Sequence, residues 1–274
     1  MYALPSTPFT AATSGLTRKQ LRRAVAMREV RRPLRGVYLA ASVELSELVR
    51  AWIHGVDCLR YAELDAMPPI ESCVLPGREP TQRVEVLGRT RDLRPEDMMT
   101  VGGVRVTTPL RTAADLLCAL PRREALAAAD ALARLHGFDA ADLNRLLVRY
   151  FRRRGVVQAR ELAGLVDARS ESSGESWARL EIIDRNLPAP VPQHWVLVDG
   201  VATYRLDLAY PRARIAIEYD GEAHHSSTED RARDAARRAW LRARGWTIIV
   251  LTKASFSEAA ANAWTRQLRQ LLVG

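Results

Sequence analysis

The spacing of apolar positions changes along the chain, and the changes divide it. In residues 15–40, Thr17 stands where an N-cap belongs, ahead of a helix whose apolar stripe is Leu21, Ala24 and Val25. Arg32-Pro33 predicts a break into a short basic helix or turn, and Arg35-Gly36 then turns the chain into a strand, Val37-Tyr38-Leu39. A helix is expected over 44–66, stopping before Met67-Pro68-Pro69. From 70 to 107 the pattern shortens to strands at Ser72–Leu75, Arg83–Leu87 and Gly103–Thr107. Thr108-Pro109 opens three Ala/Leu-spaced helices reaching Tyr150, whose pattern speaks for packing. His136 beside Gly137 reads as a helix-end cap rather than a ligand.

The Ser/Gly-rich stretch 168–176 is the clearest boundary, giving three parts: 1–66, 67–168 and 169–274. In the last part Ser172 and Glu175 have capping-box spacing and open a helix, with Trp177, Leu180 and Ile183 as its buried stripe. Asn186 to Pro192 end it. His194–Val198 reads as a strand, Asp199-Gly200 as a hairpin turn, Ala202–Tyr210 as the returning strand and Ile215–Asp220 as a third. A basic helix from Thr228 to Arg244 closes at Gly245, Trp246–Leu251 is a fourth strand, and a last helix opens near Ser255. The expected fold is α/β (α+β overall): a winged-helix amino terminus, a mixed middle, and an α-β-β-β-α-β core.

Composition narrows the class. With 274 residues and 47% apolar content the chain can bury a core, which excludes disorder as its main state. No uncharged apolar run approaches the roughly 20 residues of a membrane span, and the amino terminus lacks a secretory pattern. Cys58, Cys73 and Cys118 are odd in number and not at zinc spacing, as expected of reduced thiols in a cytoplasm.

Charge changes the picture further. Lys+Arg 41 against Asp+Glu 32 leaves +9, nearly all of it arginine. A GC-rich coding sequence would explain that, and so would a polyanionic partner. Clustering favours the partner: Arg18, Lys19, Arg22, Arg23, Arg28, Arg31, Arg32 and Arg35 face a single acid, Glu29, within one small unit. Of these, Arg18, Lys19, Arg22, Arg23, Arg31, Arg32 and Arg35 are the candidate contacts to duplex DNA. A solvated basic face is the alternative, and it is the favoured reading for the arginines of 145–160.

The acids of the last third sit in unusual places. Strand interiors disfavour Asp and Glu, yet Asp207 lies within LDLA while Glu218 and Asp220 interrupt IAIEYD. Alternation puts Glu218 and Asp220 on one face, with Asp207 on a neighbouring strand. Gathered carboxylates repel unless a cation offsets them, and hard oxygen ligands suit Mg²⁺ or Mn²⁺. His224 and His225 follow just past the strand, where a general base could meet an attacking water. Arg233 and Arg237 lie on the next helix, where a phosphate-bearing substrate would meet them. The other reading makes Glu218 and Asp220 edge-strand acids or partners of the arginines, and the histidines loop caps.

Residues 170–252 resemble the PD-(D/E)XK nuclease superfamily, in its branch similar to the very-short-patch-repair (Vsr) endonuclease. The matching stretches are GESWARLEI, YRLDLAYPRARIAIEYDGEAHH and RARDAARRAWLRARGWTIIVLT. The resemblance implies a site of Glu175, Asp207, Glu218, Asp220 and His224, with Asp207 and Glu218 holding the metal. Asp220 stands where the superfamily's lysine would be, and in this branch a histidine is expected to activate the water. The amino-terminal GLTRKQLRR and LRGVYL resemble the winged helix of AbiEi-like antitoxins, and VGGVRVTTPLRTAADLL is similar to the middle region that follows it in two-part actinobacterial chains. Two functions are therefore expected as rivals. One is a metal-dependent DNA endonuclease; the other is a DNA-binding regulator of the type IV antitoxin kind, with a toxin protein as partner.

Overall fold

A computed structural model describes residues 4, 9–11, 13–34, 37–43, 70–77, 79, 86–101, 104–221 and 228–273. The expected helix over 44–66, the turns at Arg35-Gly36 and Gly102-Gly103, and His224 and His225 lie outside the described residues. Contacts divide the chain into two units, Met1–Thr112 and Ala113–Gly274. The described parts form a mixed α/β structure with eight helices and a four-stranded carboxy-terminal sheet.

In the first unit, β1 (Phe9–Thr10), α1 (Arg18–Ala26), β2 (Val30–Leu34) and β3 (Val37–Ala40) make a helix against a small antiparallel sheet ordered β1-β3-β2. Thr17 caps α1 as expected, its side chain accepting from the Gln20 N–H while Gln20 reaches back to the Thr17 N–H. Leu21 and Ala24 bury against Phe9 and Val30. Arg32-Pro33 does not break the chain into a helix or turn; both residues lie within β2. The β2–β3 register shifts between Arg31 and Leu34, and such an irregularity is where a strand tolerates a residue with no N–H to donate.

Next come a parallel pair, β4 (Ile70–Val74) with β5 (Val86–Thr90), and an antiparallel pair, β6 (Met98–Val101) with β7 (Val104–Thr107). β6 was not expected from the sequence. Asp97 fastens this region: its carboxylate takes Arg111 Nη1 at 3.0 Å and the Arg94 N–H at 2.9 Å, while Arg111 also donates to the Asp92 carbonyl. Arg111 and Asp97 are both buried, so neither charge could stand alone.

The division between units falls inside α2 (Pro109–Ala119). The second unit continues with α3 (Arg122–His136), α4 (Ala140–Leu147), α5 (Val156–Ala163) and α6 (Ser173–Asp184). Then follow β8 (Val191–Val198), β9 (Val201–Tyr210), β10 (Ile215–Tyr219), α7 (Thr228–Ala243), β11 (Thr247–Leu251) and α8 (Glu258–Val273). The sheet order is β11-β10-β9-β8, with β10 and β11 parallel and the rest antiparallel. Asp199 and Gly200 both have positive φ, 49° and 81°, as the tight β8–β9 hairpin needs.

Helices cover both faces of the sheet. Ala178 and Ile182 of α6 and Trp264 and Leu268 of α8 pack on Leu208, Tyr210, Ile215 and Ile217, while Leu241 of α7 packs on Leu206, Ala209 and Ala216. The buried stripe of α6 differs from the expected one: Ala178, Leu180 and Ile182 are buried, while Trp177 and Ile183 are half-buried. Its far side is covered too, because Asp130 of α3 takes Arg179 Nη2 at 2.7 Å and the Ser176 hydroxyl at 2.7 Å. Residues on either side of the 168/169 boundary are thus joined by a buried ion pair. No described helix is long and apolar enough to cross a membrane.

Candidate functional site

One row across β8, β9 and β10 brings Gln193, Asp207 and Glu218 side by side. Pro192 pairs with Leu208 and His194 with Leu206, which sets Gln193 opposite Asp207. β10 pairs with β9 from Ile215–Tyr210 to Ile217–Leu208, so one further step sets Glu218 opposite Asp207. The β9–β10 ladder ends before that step, and the Tyr219 N–H donates to Asp207 Oδ2 at 2.9 Å.

The β8–β9 hairpin changes face at this row. Leu206 and Val196 belong to the cluster on the α7 side, whereas Leu208 and Tyr210 belong to the cluster with α6 and α8. In an even strand residues 206 and 208 would share a face. Gln193 has φ of 52°, a left-handed backbone in mid-strand, and such a residue bends the strand there. Asp207 therefore stands where the strand passes from one layer to the other. Its carboxyl can interact both with Glu175, on the first turn of α6, and with Glu218, which is tied to α7.

Burial pushes the Asp207 carboxyl up to about 7 from 3.8. The Tyr219 N–H opposes the rise, the charges of Glu175 and Glu218 add to it, and Arg237 opposes it weakly. Glu175 and Glu218 are thus near enough for their charges to act on Asp207.

Each neighbour of Asp207 has its own support. Glu175 is 6% exposed and accepts the Ser172 hydroxyl at 2.9 Å, the Glu171 N–H at 3.0 Å and Gln193 Nε2 at 2.7 Å. Glu218, 5% exposed, takes both guanidinium nitrogens of Arg237, at 2.6 and 3.0 Å. Arg238 lies 3.6 Å from Glu218 and bridges Asp220 and Asp234, each at 3.3 Å. Glu218 and Asp220 are thus both partnered by nearby arginines, and of the two it is Glu218 whose charge acts on Asp207.

Arg237, expected to meet phosphate, is held by Glu218 and by the Arg205 carbonyl at 2.9 Å. Arg233 is exposed on the same helix. His224 lies outside the described residues. In the first unit Arg18, Lys19, Arg22 and Arg23 are exposed along α1, and Arg18 and Arg22 line a groove of about 360 Å³ with Leu21, Val25 and Tyr38. Arg31 donates to the Val43 carbonyl. Arg35 and the side chain of Arg32 lie outside the description.

Gln193 is the residue the sequence did not announce. Pro192 marked the end of a linker, and nothing local signals a left-handed glutamine. β8 in fact begins at Val191, and Pro192 is tolerated because β8 is an edge strand.

Among the described residues, no three His, Cys, Asp or Glu side chains form a ready metal cage. The donor chemistry nevertheless suits a hard divalent cation. Burial and two neighbouring acids push the Asp207 carboxyl up to about 7, and Gln193 Oε1 is a buried acceptor without a hydrogen-bond partner among the described residues. Glu218 is less available, because Arg237 already neutralises it.

Residues 195–271 match REase_MTES_1575, a restriction-endonuclease-like domain family, and residues 46–166 match the family described as AbiEi antitoxin C-terminal domain. Two Mycobacterium tuberculosis proteins are each 37% identical over 152 residues. They are "Uncharacterized protein MT2308" of strain CDC 1551 / Oshkosh and "Uncharacterized protein Rv2248" of strain ATCC 25618 / H37Rv. The matched stretch is 56% of this chain and 56% of each relative. The chain is thus similar to both over about half its length, and its two family matches are to an endonuclease-like domain and to an antitoxin-type domain.

Proposed function

We propose that the protein is a metal-dependent nucleic-acid phosphodiesterase, with duplex DNA as substrate and α1 with its small sheet as a DNA-binding head. The observation that carries this reading is Asp207, a largely buried acid raised to about 7 between two further acids. Structural acids are normally paired, whereas one buried beside two further acids at a sheet bend is poised for a cation. Asp207 and Glu218 would hold Mg²⁺ or Mn²⁺, with Glu175 and Asp220 in support. Bound there, the ion would supply charge stabilisation at the scissile phosphate.

The protein's own groups do the rest. His224 takes the proton of the attacking water as its oxygen bonds to phosphorus and the P–O bond to the leaving sugar oxygen breaks. Arg237 would exchange Glu218 for a phosphate oxygen as substrate arrives, and Arg233 would hold the backbone beside it. Arg18, Lys19, Arg22 and Arg23 would track phosphates from α1.

The test is incubation of plasmid with Mg²⁺ or Mn²⁺, comparing the wild type with Asp207→Ala and Glu218→Ala. Nicking by the wild type alone is expected. Equal nicking by both variants would mean a contaminant. No cleavage of DNA or RNA by the wild type would sink the reading.

A second reading is favoured by Glu218, whose ion pair with Arg237 needs no metal, and by the antitoxin-type match over 46–166. On it the protein is a DNA-binding regulator with a toxin partner, and the endonuclease-like domain is a scaffold. Duplex binding without cleavage, and co-purification with a protein encoded beside it, would favour that function.

A further inference from the structure

Gln193 combines three features that packing alone does not require. Its backbone is left-handed in mid-strand, at a residue that is neither glycine nor asparagine. Its Nε2 donates to Glu175 Oε2 at 2.7 Å. Its Oε1 is buried with no hydrogen-bond partner among the described residues. The amide cannot be turned round, because an oxygen facing the Glu175 carboxylate would meet another acceptor. The acceptor end is thereby fixed away from Glu175, on a residue that the register sets opposite Asp207.

We propose that Gln193 is a further oxygen ligand of the divalent cation held by the acid row, and that its left-handed backbone sets Asp207 in place between Glu175 and Glu218. This rests on reading the site as metal-dependent. A neutral amide oxygen is a hard donor of the kind Mg²⁺ and Mn²⁺ accept beside carboxylates. It adds a ligand without a fourth negative charge among acids that already repel. Donation from Nε2 also orients Glu175, so one side chain would both coordinate the ion and position a neighbouring acid. The unusual backbone fits the same role, since a strained conformation kept in a regular strand marks a place where geometry is required.

The test is Mn²⁺ binding by calorimetry, on full-length protein freed of metal, for wild type, Asp207→Ala, Gln193→Gly and Gln193→Asn. Glycine and asparagine both tolerate the left-handed backbone, and asparagine is too short to reach Glu175 and the ion together. Both Gln193 variants are expected to keep the wild-type circular dichroism and to bind Mn²⁺ about 10- to 100-fold more weakly. If Gln193→Gly loses the fold, Gln193→Asn alone decides. Mn²⁺ binding lost in Asp207→Ala yet undiminished in the folded Gln193 variants would overturn this inference alone, leaving Oε1 to a bound water. Absence of Mn²⁺ binding by the wild type would overturn the metal site itself, and this inference with it.

Discussion

Replacing Asp207 by asparagine removes an ionisation while keeping the shape and an oxygen for the Tyr219 N–H. An ordinary carboxyl at 3.8 raised to about 7 corresponds to ~4 kcal/mol of preference for the neutral form in the folded state. The folded value lies above the unfolded one, so this favourable difference is full below pH 3.8 and is lost as pH rises to about 7. Asparagine never ionises and should keep it. In EDTA the variant and wild type should match in stability near pH 3.5, then diverge, the variant becoming more stable by up to ~4 kcal/mol above pH 7.5. At roughly 2–4 °C per kcal/mol for a domain of this size, the melting difference should be easily seen. Thermal and urea unfolding from pH 3.5 to 8.5 measure it. Adding Mn²⁺ should stabilise the wild type and not the variant. A stability difference that does not change with pH, or a variant weaker than wild type at pH 8, would refute the burial and convergence argued for Asp207.

Gly174 packs against the Tyr219 ring so closely that an added Cβ would lie 2.2 Å from it, so Gly174→Ala should cost about 1–3 kcal/mol in urea unfolding. It should also lower any nuclease activity, because Tyr219 anchors Asp207. Asp130→Ala leaves Arg179 buried without its carboxylate and should destabilise by about 3–5 kcal/mol; a loss under 1 kcal/mol in the same assay would show that the pair is not what joins α3 to α6. Removing both Arg18 and Arg22 should weaken duplex binding and reduce the slope of log K against log salt by about 2, read by anisotropy; an unchanged slope would move the DNA contact off α1.

Local chemistry made much of the fold legible. Thr17 with Gln20, and Ser172 with Glu175, announce helix starts because their side chains satisfy N–H groups only a turn away. Asp199-Gly200 announces a hairpin because both residues accept positive φ. β6 was missed because its two central positions face solvent and leave little apolar alternation to read. Pro33 was misread because its tolerance in β2 depends on a register shift against β3.

The sequence by itself determined the order of elements in the last third and the identity of the acids, since strand alternation and turn residues act over a few positions. Only the tertiary structure decided how those acids are held. Arg237 reaches Glu218 across 19 residues, Arg179 reaches Asp130 across 49, and Gln193 turns left-handed opposite Asp207 with no local cue. Burial and pairing are properties of what packs around a side chain, and they set whether a carboxyl is charged. A one-dimensional pattern can name the carboxyl, but its protonation is fixed by neighbours that come together only when the chain folds.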